Sequence, residues 1–420
     1  MNEASAVAGE TADVAVVGAG PAGLAAAVQL RRAGAGRVVV LDREAEPGGI
    51  PRHAKHQGFG IRDLHRVMSG PRYAARIAEA AIDAGAELRT EAQVTGWAGG
   101  ALEVTAPRGR SRLDARAVVL ATGCRERPRP ARLVPGSRPQ GVMTTSMLQQ
   151  LVYLRGESPG RRAVVVGAEH VSFSALLTLS HGGARAAAMT TEHPRHQTLA
   201  AFRAGAAMRF RTPLHTRTAV SAIRGRRRVE AVELTDLDTG VRREVECDLV
   251  VFTADWIPDH ELAVLAGIEL DPLTRGPAVD PGLRTSRAGV FAAGNVLHGA
   301  ETADVAALDG RHVAAAVVGH LEGGEWPAAR VPVHCERPLG WIAPNAITGG
   351  DHAPPRGRFL LRSTERLARP RVEVMQAGRR LWAGRLRGLG PGHSARLPHD
   401  WAAGVDAGGG PVTIRLPFVR

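Results

Sequence analysis

The sequence predicts an α/β protein with two Rossmann-like βαβ domains, the first split by insertion of the second, and a small β-rich C-terminal domain. Two short runs rich in apolar residues, Asp13–Val17 and Ala163–Val166, each lead directly into a turn that begins with glycine. Later runs of the same kind supply further strands of parallel sheets. From about Glu325 the helical patterns fade, and proline, glycine and short alternating stretches replace them.

The first βαβ unit lies near the N-terminus. Asp13–Val17 has the composition of a buried strand, and the glycine-rich turn Gly18–Gly23 follows at once. Leu24–Ala33 predicts a helix that ends at Gly34, and Arg37–Leu41 predicts the second strand. This order of elements is the setting in which a Gly-x-Gly-x-x-Gly pattern indicates a dinucleotide site.

The glycine turn has the features that a pyrophosphate needs. Gly18 permits the tight turn, Gly20 lets backbone amides approach the phosphates, and Gly23 lets the helix pack closely on the strand. The helix N-terminus offers unpaired N–H groups and a partial positive charge. Asp42 closes the second strand, where a carboxylate accepts hydrogen bonds from ribose hydroxyls and disfavours a 2′-phosphate.

The second βαβ unit begins at Arg162 and has a damaged turn. Gly167 keeps the first glycine, but Glu169 replaces the second and Ser172 the third. Either this domain keeps its fold without binding NAD(P) in the usual way, or its backbone shifts and NAD still binds, with Glu192 serving a ribose. NAD(P) is therefore doubtful as a cofactor. The predicted strand, helix and strand are Ala163–Val166, Phe173–Leu179 and Ala184–Thr190.

The remaining chain completes both sheets and adds the C-terminal domain. The predicted domains are residues 1–150 and 253–324 for the two parts of the split domain, 151–252 for the insertion and 325–420 for the β-rich domain. Strands are predicted within Val118–Gly123, Asp248–Thr253, Gly289–Asn295, Phe359–Arg362, Arg371–Met375, Arg380–Gly384 and Val412–Leu416, and a helix over 302–321.

Composition excludes several functional classes. The net charge of +13 comes from arginines scattered along the chain, and aromatic residues make up only 4%. A nucleic-acid-binding protein instead concentrates charge on one element and interleaves aromatics. No apolar stretch is long enough for a membrane span, and no signal-peptide pattern is present. We expect neither nucleic acid nor membrane as a partner.

The cysteines Cys124, Cys247 and Cys335 lie far apart in the sequence. Without a C-x-x-C pair or a cluster, the chain is predicted to hold no redox disulfide, no metal and no iron–sulfur centre of its own. Free thiols are typical of a reducing compartment, so the expected location is cytoplasmic. Cys124 is interpreted as a small buried apolar residue.

Several segments resemble a known family. Val118–Gly123, with its Ala-Thr-Gly, and Asp280–Val296 (DPGLRTSRAGVFAAGNV) resemble FAD-contacting stretches of the two-dinucleotide-binding-domain flavoproteins, the pyridine nucleotide-disulfide oxidoreductase-like group. Gly48–Gly60 and Gly294–Asp304 are similar to one branch, the alpha subunits of opine and proline dehydrogenases and the B subunit of hydrogen cyanide synthase. Asn295 departs from the aspartate of the wider group.

The resemblance implies FAD at the first glycine turn and a set of contacts to it. A helix that begins near Ala303 would bring its N-terminus to the pyrimidine edge of the flavin. Asn295 would contact the ribityl hydroxyls or would serve as a turn residue after Gly294. The implied cofactor-binding residues are Gly18, Gly20, Ala22, Gly23, Asp42, Arg43, Gly49, Arg52, Val94, Ala121, Thr122, Gly123, Gly294, Asn295, Glu301, Thr302 and Ala303.

No catalytic residue is identified from the sequence with a definite role. Arg52, His53, Lys55 and His56 follow Gly48–Gly49 and either bind a substrate carboxylate and tune the flavin, or form a solvated basic loop. We retain Arg52, His53 and His56 as catalytic candidates.

The residues and the resemblance together favour one function over two alternatives. The favoured function is a FAD-dependent dehydrogenase or oxidase subunit that acts on a small amine or amino-acid-like substrate. Electrons would pass to a second flavoprotein subunit or to a separate small iron–sulfur protein. The alternatives are a self-sufficient NAD(P)H-dependent flavoprotein reductase and a FAD-containing assembly subunit without catalysis.

Overall fold

The computed structural model describes residues 9–198, 204, 208–349 and 352–417. These residues form two compact units. The first contains the described residues up to Arg52, then Gln57–Cys124 and the chain from Pro258 onward, and the second contains His53–His56 and Arg125–Ile257. The second unit is therefore an insertion into the first. The domain boundaries at residues 150, 252 and 324 stay predictions.

A parallel sheet forms the centre of the first unit. Gly9–Val17 lies between the strands Val38–Leu41 and Gly109–Leu120. Val38–Leu41 pairs on its other side with Glu87–Arg89, and Gly109–Leu120 also pairs with Val290–Ala292. The apolar runs that predicted four of these strands are buried, as parallel strands require.

An antiparallel meander extends this sheet. Gln93–Ala98 pairs with Ala101–Ala106, which in turn pairs with the first half of Gly109–Leu120. The sequence analysis did not identify the first two strands, because their period-two pattern rests on few buried apolar residues. Short strands also occur at Gln57–Phe59, Met68–Ser69, Cys124–Glu126 and Trp256–Pro258.

The helices confirm the βαβ order. Helix α1 begins at Pro21, earlier than the predicted Leu24, because proline is favoured at the first helical position after the extended Gly20. A Cβ at Gly310 would lie 1.9 Å from the Ala22 carbonyl oxygen, so this glycine permits close packing of α1 on α6. The α-helices whose full extent lies within the described residues are α1 (Pro21–Arg32), α2 (Gly70–Asp83), α3 (Thr145–Tyr153), α4 (His170–His181), α5 (Glu261–Leu265) and α6 (Ala303–Leu321).

The C-terminal part of the first unit forms two small sheets around a core of its own, in which Phe359, Val374 and Ile414 are fully buried. The four strands predicted there are confirmed, and four others were not predicted. In spatial order the sheets are Ala346–Ile347, Val331–Cys335, Val412–Arg415, Arg371–Gln376 and Arg379–Arg385, and Leu339–Ala343, Phe359–Ser363 and Ala395–Leu397.

The second unit also has a parallel sheet, and it contains a separate antiparallel sheet. The predicted strands of the βαβ unit are confirmed, and α4 begins earlier than the predicted Phe173. The parallel order is Val142–Thr144, Leu249–Phe252, Arg162–Val166, Arg185–Thr190 and Leu214–His215, and the antiparallel order is Thr218–Arg224, Ala231–Asp236 and Arg242–Glu246.

Within the described ranges, no helix is long and apolar enough to cross a membrane. Among the same residues, no group of three or more His, Cys, Asp or Glu side chains is placed to hold a metal ion.

Candidate cofactor site

The first glycine turn contains three differently constrained glycines. Gly18 has a φ of +109°, and a Cβ there would lie 2.4 Å from the Ala121 carbonyl oxygen. A Cβ at Gly23 would lie 1.9 Å from the Gly18 carbonyl oxygen. At Gly20, φ is −81°, and no described atom lies within 4 Å of the Cβ position. The turn is closed by protein on two sides and open at Gly20, as a pyrophosphate requires.

The N-terminus of α1 is suited to receive an anion. Gly20 is its N-cap and Pro21 its first residue, and its first turn has neither a side-chain cap hydrogen bond nor an acidic residue. The N–H groups of this turn and the helix dipole therefore favour a negative charge at this end. Ala22 is buried against Gly294, where a Cβ would lie 2.6 Å from the Ala22 Cβ. Two of the implied FAD segments meet at this contact.

Asp42 lies at the edge of the glycine turn. Its carboxylate accepts hydrogen bonds from the N–H groups of Ala19 at 2.5 Å and Glu44 at 2.8 Å. These bonds fix the carboxylate while leaving lone pairs for ribose hydroxyls. Arg43, the other implied ribose contact, is exposed, and its guanidinium lies 3.7 Å from the Asp259 carboxylate.

Gly49 and Arg52 border the same turn. A Cβ at Gly49 would lie 3.0 Å from the Gly20 Cα. The Arg52 guanidinium donates to the Glu46 carbonyl oxygen at 2.8 Å and to the Glu44 carboxylate at 3.2 Å. Its Nε is buried and has no hydrogen-bond partner among the described residues. A buried donor without an acceptor costs free energy, so this N–H is suited to a ligand oxygen.

The Ala121–Gly123 segment passes beneath the glycine turn. The Ala121 N–H donates to the Val17 carbonyl oxygen at 2.8 Å. The Thr122 hydroxyl donates to the Asp259 carbonyl oxygen at 2.6 Å, and the Asp259 N–H donates to the Gly123 carbonyl oxygen at 2.9 Å. Asp259 thus holds this segment in place, a role that the sequence analysis missed.

Val94, the implied adenine contact, is buried in its strand and pairs with Val104. Just before it, the Ala92 N–H donates to the Asp42 carbonyl oxygen at 2.8 Å. Val94 therefore lies near the end of the sheet that carries Asp42, and its contact with adenine stays a prediction.

The turn before α6 is closed by the side chain of Asn295. Its Oδ1 accepts the Glu301 N–H at 3.0 Å, and its Nδ2 donates to the Glu301 carbonyl oxygen at 3.1 Å. These bonds give Asn295 the role of a turn residue. A contact with the ribityl chain stays a prediction, for which the amide retains one N–H and one lone pair. Thr302 is the N-cap of α6, and Ala303 is its first residue.

Asp304 in the first turn of α6 was not predicted as a site residue. It is 2% exposed and accepts hydrogen bonds from the Arg62 backbone N–H at 3.0 Å and the Arg62 guanidinium at 3.1 Å. It also accepts the Val305 N–H at 3.0 Å. The available signal was an acidic residue at the predicted start of a helix.

The second glycine turn is filled by a side chain of its own unit. Glu169 is the N-cap of α4, and its Oε2 accepts the Ala168 N–H at 2.9 Å. Its Oε1 accepts the Ser172 hydroxyl at 2.6 Å and also the Thr253 hydroxyl. The Ser172 Oγ accepts the Glu169 N–H at 3.2 Å, completing a capping box. A carboxylate therefore lies at the helix N-terminus where a phosphate would bind.

The segment after the next strand covers this turn. The Gln197 N–H donates to the Ala168 carbonyl oxygen at 2.9 Å, and the Thr198 hydroxyl lies 2.7 Å from Nδ1 of His170. Glu192, the possible ribose acid, is exposed. The two turns thus differ: α1 has no side-chain cap, whereas α4 is capped by its own glutamate.

The basic catalytic candidates have separate surroundings. Arg52 belongs to the first unit, whereas His53 and His56 belong to the second. His53 is buried, and its Nδ1 lies 3.4 Å from the Gln149 Oε1; His56 is half-buried. The structure does not gather the three side chains within one unit, and a catalytic role for them stays a prediction.

Glu126 is a buried carboxyl group in the second unit. Burial raises its pKa to about 7, and the negative charge of Glu169 adds to this, while the N–H donor of Ser146 opposes it. A glutamate in the unfolded chain has a pKa of about 4.5. Between these values the folded protein keeps a proton that the unfolded chain has lost, so stability falls as the pH rises from about 4.5 through about 7.

We therefore expect Glu126→Gln to gain stability relative to the wild type as the pH rises. From pH 5 to pH 8 the free energy of unfolding of the variant should improve by about 2 kcal/mol against the wild type. Urea unfolding at several pH values measures this difference, with the exposed Glu246→Gln as the control. A difference that stays constant with pH would show that Glu126 does not titrate in this range.

The open first turn, the unpartnered Arg52 Nε and the glycine contacts fit a bound dinucleotide, and they define a protein with a Rossmann-type dinucleotide-binding domain. Residues 12–310 match the family model described as pyridine nucleotide-disulphide oxidoreductase. The chain belongs to this family. It is a FAD-dependent oxidoreductase with a fold that the sequence predicted correctly.

Relatives of known identity span different functions. The chain is 29% identical over 346 residues to the A subunit of opine oxidase from Agrobacterium tumefaciens (strain Ach5), covering 74% of this chain and 66% of that one. It is 30% identical over 294 residues to thioredoxin reductase of Treponema pallidum (strain Nichols), covering 68% and 88%. It is 33% identical over 190 residues to the alpha subunit of sarcosine oxidase from Corynebacterium sp. (strain P-1), covering 41% and 18%.

The fold is also that of a solved structure. Thioredoxin reductase of T. acidophilum is similar with a TM-score of 0.61 and 25% identity, covering 74% of this chain and 99% of that one. The chain covers 66% and 60% of the length of two opine oxidase A subunits that it matches.

Proposed function

We propose that the chain is a subunit of a FAD-dependent dehydrogenase or oxidase that takes electrons from an amine or amino-acid-like substrate and passes them to a partner protein. The observation that carries this proposal is the contrast between the two glycine turns. The first is open at Gly20, whereas the second holds the Glu169 carboxylate. Electrons from NAD(P)H would need the second turn, and thioredoxin-reductase chemistry would need a C-x-x-C pair that the sequence lacks.

The substrate class rests on the names of the relatives. The matched opine oxidase and sarcosine oxidase chains are subunits of oxidases, and sarcosine is an N-substituted amino acid. By analogy, the partner would be a second flavoprotein subunit or a small iron–sulfur protein. None of the three cysteines is joined to another in a disulfide, which agrees with the cytoplasmic location that we propose.

In this proposal, bound FAD would supply the acceptor for a hydride from the substrate. The turn at Gly18–Gly23 and the N-terminus of α1 would hold the pyrophosphate, and Asp42 would hold the adenosine ribose. The N-terminus of α6, at Thr302 and Ala303, would stabilise negative charge at the pyrimidine edge. The Arg52 Nε would donate to an oxygen of the cofactor.

Anaerobic reduction of the purified protein tests the proposal. We expect a yellow protein whose flavin is bleached by an amine or N-substituted amino acid, with or without its partner, and is left oxidised by NADH over the same time. Rapid bleaching by NADH would favour the self-sufficient reductase. Flavin that no substrate of either kind reduces would favour an assembly subunit.

Replacing Glu169 with alanine should open the second turn. Removing the carboxylate takes a negative charge away from the helix N-terminus, so we expect at least about tenfold tighter binding of NADH, measured by fluorescence titration. The variant should lose about 1 kcal/mol of stability with the cap. Glu192→Ala, which removes an exposed acid at the ribose position, is the matched control and should bring no gain. Unchanged NADH binding in Glu169→Ala would contradict the idea that this carboxylate excludes the nucleotide.

A further inference from the structure

The side chain of Glu301 joins the turn before α6 to the C-terminal sheets. Its Oε1 accepts hydrogen bonds from Nη2 of Arg362 at 2.8 Å and from the Ser394 hydroxyl at 2.5 Å. Arg362 lies on the strand Phe359–Ser363. Because the Asn295 amide already pairs with the Glu301 backbone, both the backbone and the side chain of Glu301 are held.

The Arg362 guanidinium makes several contacts within the first unit. It lies 4.8 Å above the Trp341 ring, and the same ring stacks with His298 at 4.7 Å and an interplanar angle of 12°. It also donates to the carbonyl oxygens of Gly299 at 3.4 Å and Ala300 at 3.3 Å. Arg362 therefore contacts the loop that leads into α6 at several consecutive residues.

The charges of this pair are almost out of reach of water. The side chains of Arg362 and Glu301 are 12% and 16% exposed. Burial opposes ionisation of Glu301, but the net effect, led by the charge of the Arg362 guanidinium with the Ser394 hydroxyl in support, lowers its pKa. Burial also lowers the pKa of His298 to about 4, so this ring is neutral near pH 7. The pair is thus a buried cation and anion whose charges cancel.

The pair lies where two implied FAD segments end. The loop it fixes leads to Thr302 and Ala303 at the N-terminus of α6. Cys124, which follows the Ala121–Gly123 segment, interacts electrostatically with the Arg362 guanidinium. A charge left unbalanced here would act on the same end of the cofactor that the helix N-terminus faces.

We propose that Arg362 and Glu301 are positioning residues through which the C-terminal sheets fix the flavin-facing turn and set the reduction potential of the flavin. This inference rests on the proposed function because it requires that the chain binds FAD. Removing Arg362 leaves an uncompensated negative charge, which disfavours the negative charge that the flavin gains on reduction. Removing the charge of Glu301 leaves a positive charge, which favours reduction.

The test compares the full chain with Arg362→Gln, Glu301→Gln, the double variant and Arg362→Lys. FAD affinity is measured by flavin fluorescence, and the reduction potential by equilibration with a reference dye at pH 8.5, far above the lowered pKa of Glu301 in the wild type. At fixed dye potential, the ratio of reduced to oxidised flavin should fall about tenfold in Arg362→Gln and rise about tenfold in Glu301→Gln. It should return to near the wild-type ratio in the double variant and lie between the wild type and Arg362→Gln in Arg362→Lys. Arg380→Gln, an exposed arginine of the same sheets, should leave it unchanged.

Opposite shifts support the inference, because loss of a purely structural clamp would move both single variants in the same direction. Shifts in the same direction, or no shift while FAD stays bound, would overturn it. If Arg362→Gln does not fold, a raised ratio in Glu301→Gln and its return in the double variant carry the same test. A wild-type flavin that NADH reduces rapidly would overturn the proposed function and leave this inference standing, whereas a wild type that binds no FAD would overturn both.

Discussion

Replacing Gly20 with valine should leave the protein folded and remove its FAD. The Gly20 backbone has a φ of −81° and a ψ of −176°, which valine adopts without strain, and no described atom lies within 4 Å of its Cβ position. A side chain there projects into the space that the pyrophosphate needs and separates it from the N–H groups of α1. Losing two hydrogen bonds to a charged phosphate would weaken FAD binding by at least about 100-fold.

Two further glycines make this experiment specific. Gly319→Val is the matched control, because this position also has open space around its Cβ and lies away from the turn. It should keep FAD at the wild-type level. Gly23→Val should instead disrupt the fold, because its Cβ would lie 1.9 Å from the Gly18 carbonyl oxygen. Flavin absorbance per chain and circular dichroism separate these results. Stoichiometric FAD in Gly20→Val would refute the assignment of this turn to the pyrophosphate.

The sequence predicted the first turn well because its determinants are local. Gly18, Gly20 and Gly23 lie within one turn, and the strands on either side are continuous apolar runs. The residues predicted to contact FAD at Gly49, Ala121 and Gly294 accordingly lie against this turn or against α1.

The determinants that were missed depend on contacts between distant parts of the chain. The sequence indicated that Glu169 obstructs a phosphate, but Thr253, which closes the hydrogen bonding around its carboxylate, is 84 residues away. The partners of Glu301 lie 61 and 93 residues away, at Arg362 and Ser394. No local sequence pattern predicts such pairs, because a charged residue in a short strand is normally expected to be exposed to solvent.

The run of basic residues after Gly49 shows the opposite case, in which residues adjacent in the sequence do not share a site. Adjacency in sequence suggested one group, but Arg52 is held by Glu44 and Glu46, whereas His53 lies against Gln149. Neighbouring side chains in a short 3₁₀ turn point in different directions, so a run of like residues does not make a common site.

Arg284→Met should be strongly destabilising. Asp280 is fully buried, and it accepts hydrogen bonds from the Arg284 Nε at 2.7 Å, the Arg284 N–H at 3.0 Å and the Thr348 hydroxyl at 2.8 Å. This pair gives the Arg284-Thr285-Ser286 motif within the family-like segment Asp280–Val296 a physical role, because it folds the turn that precedes Val290–Ala292. Through Thr348 it also ties that turn to the C-terminal region. Breaking a buried pair by removing one partner costs about 3–5 kcal/mol.

Urea unfolding of Arg284→Met, Asp280→Leu and the double variant with both changes measures that cost. Arg284→Met leaves a buried carboxylate without its cation, whereas Asp280→Leu combined with Arg284→Met removes both charges and should recover much of the lost stability. The exposed Arg311→Met should change the free energy of unfolding by no more than about 0.5 kcal/mol. Because the turn leads into Gly294 and Asn295, Arg284→Met should also release FAD at a lower urea concentration than the wild type. A loss below about 1 kcal/mol would mean that the Asp280 carboxylate does not depend on Arg284, and the motif would then need another explanation.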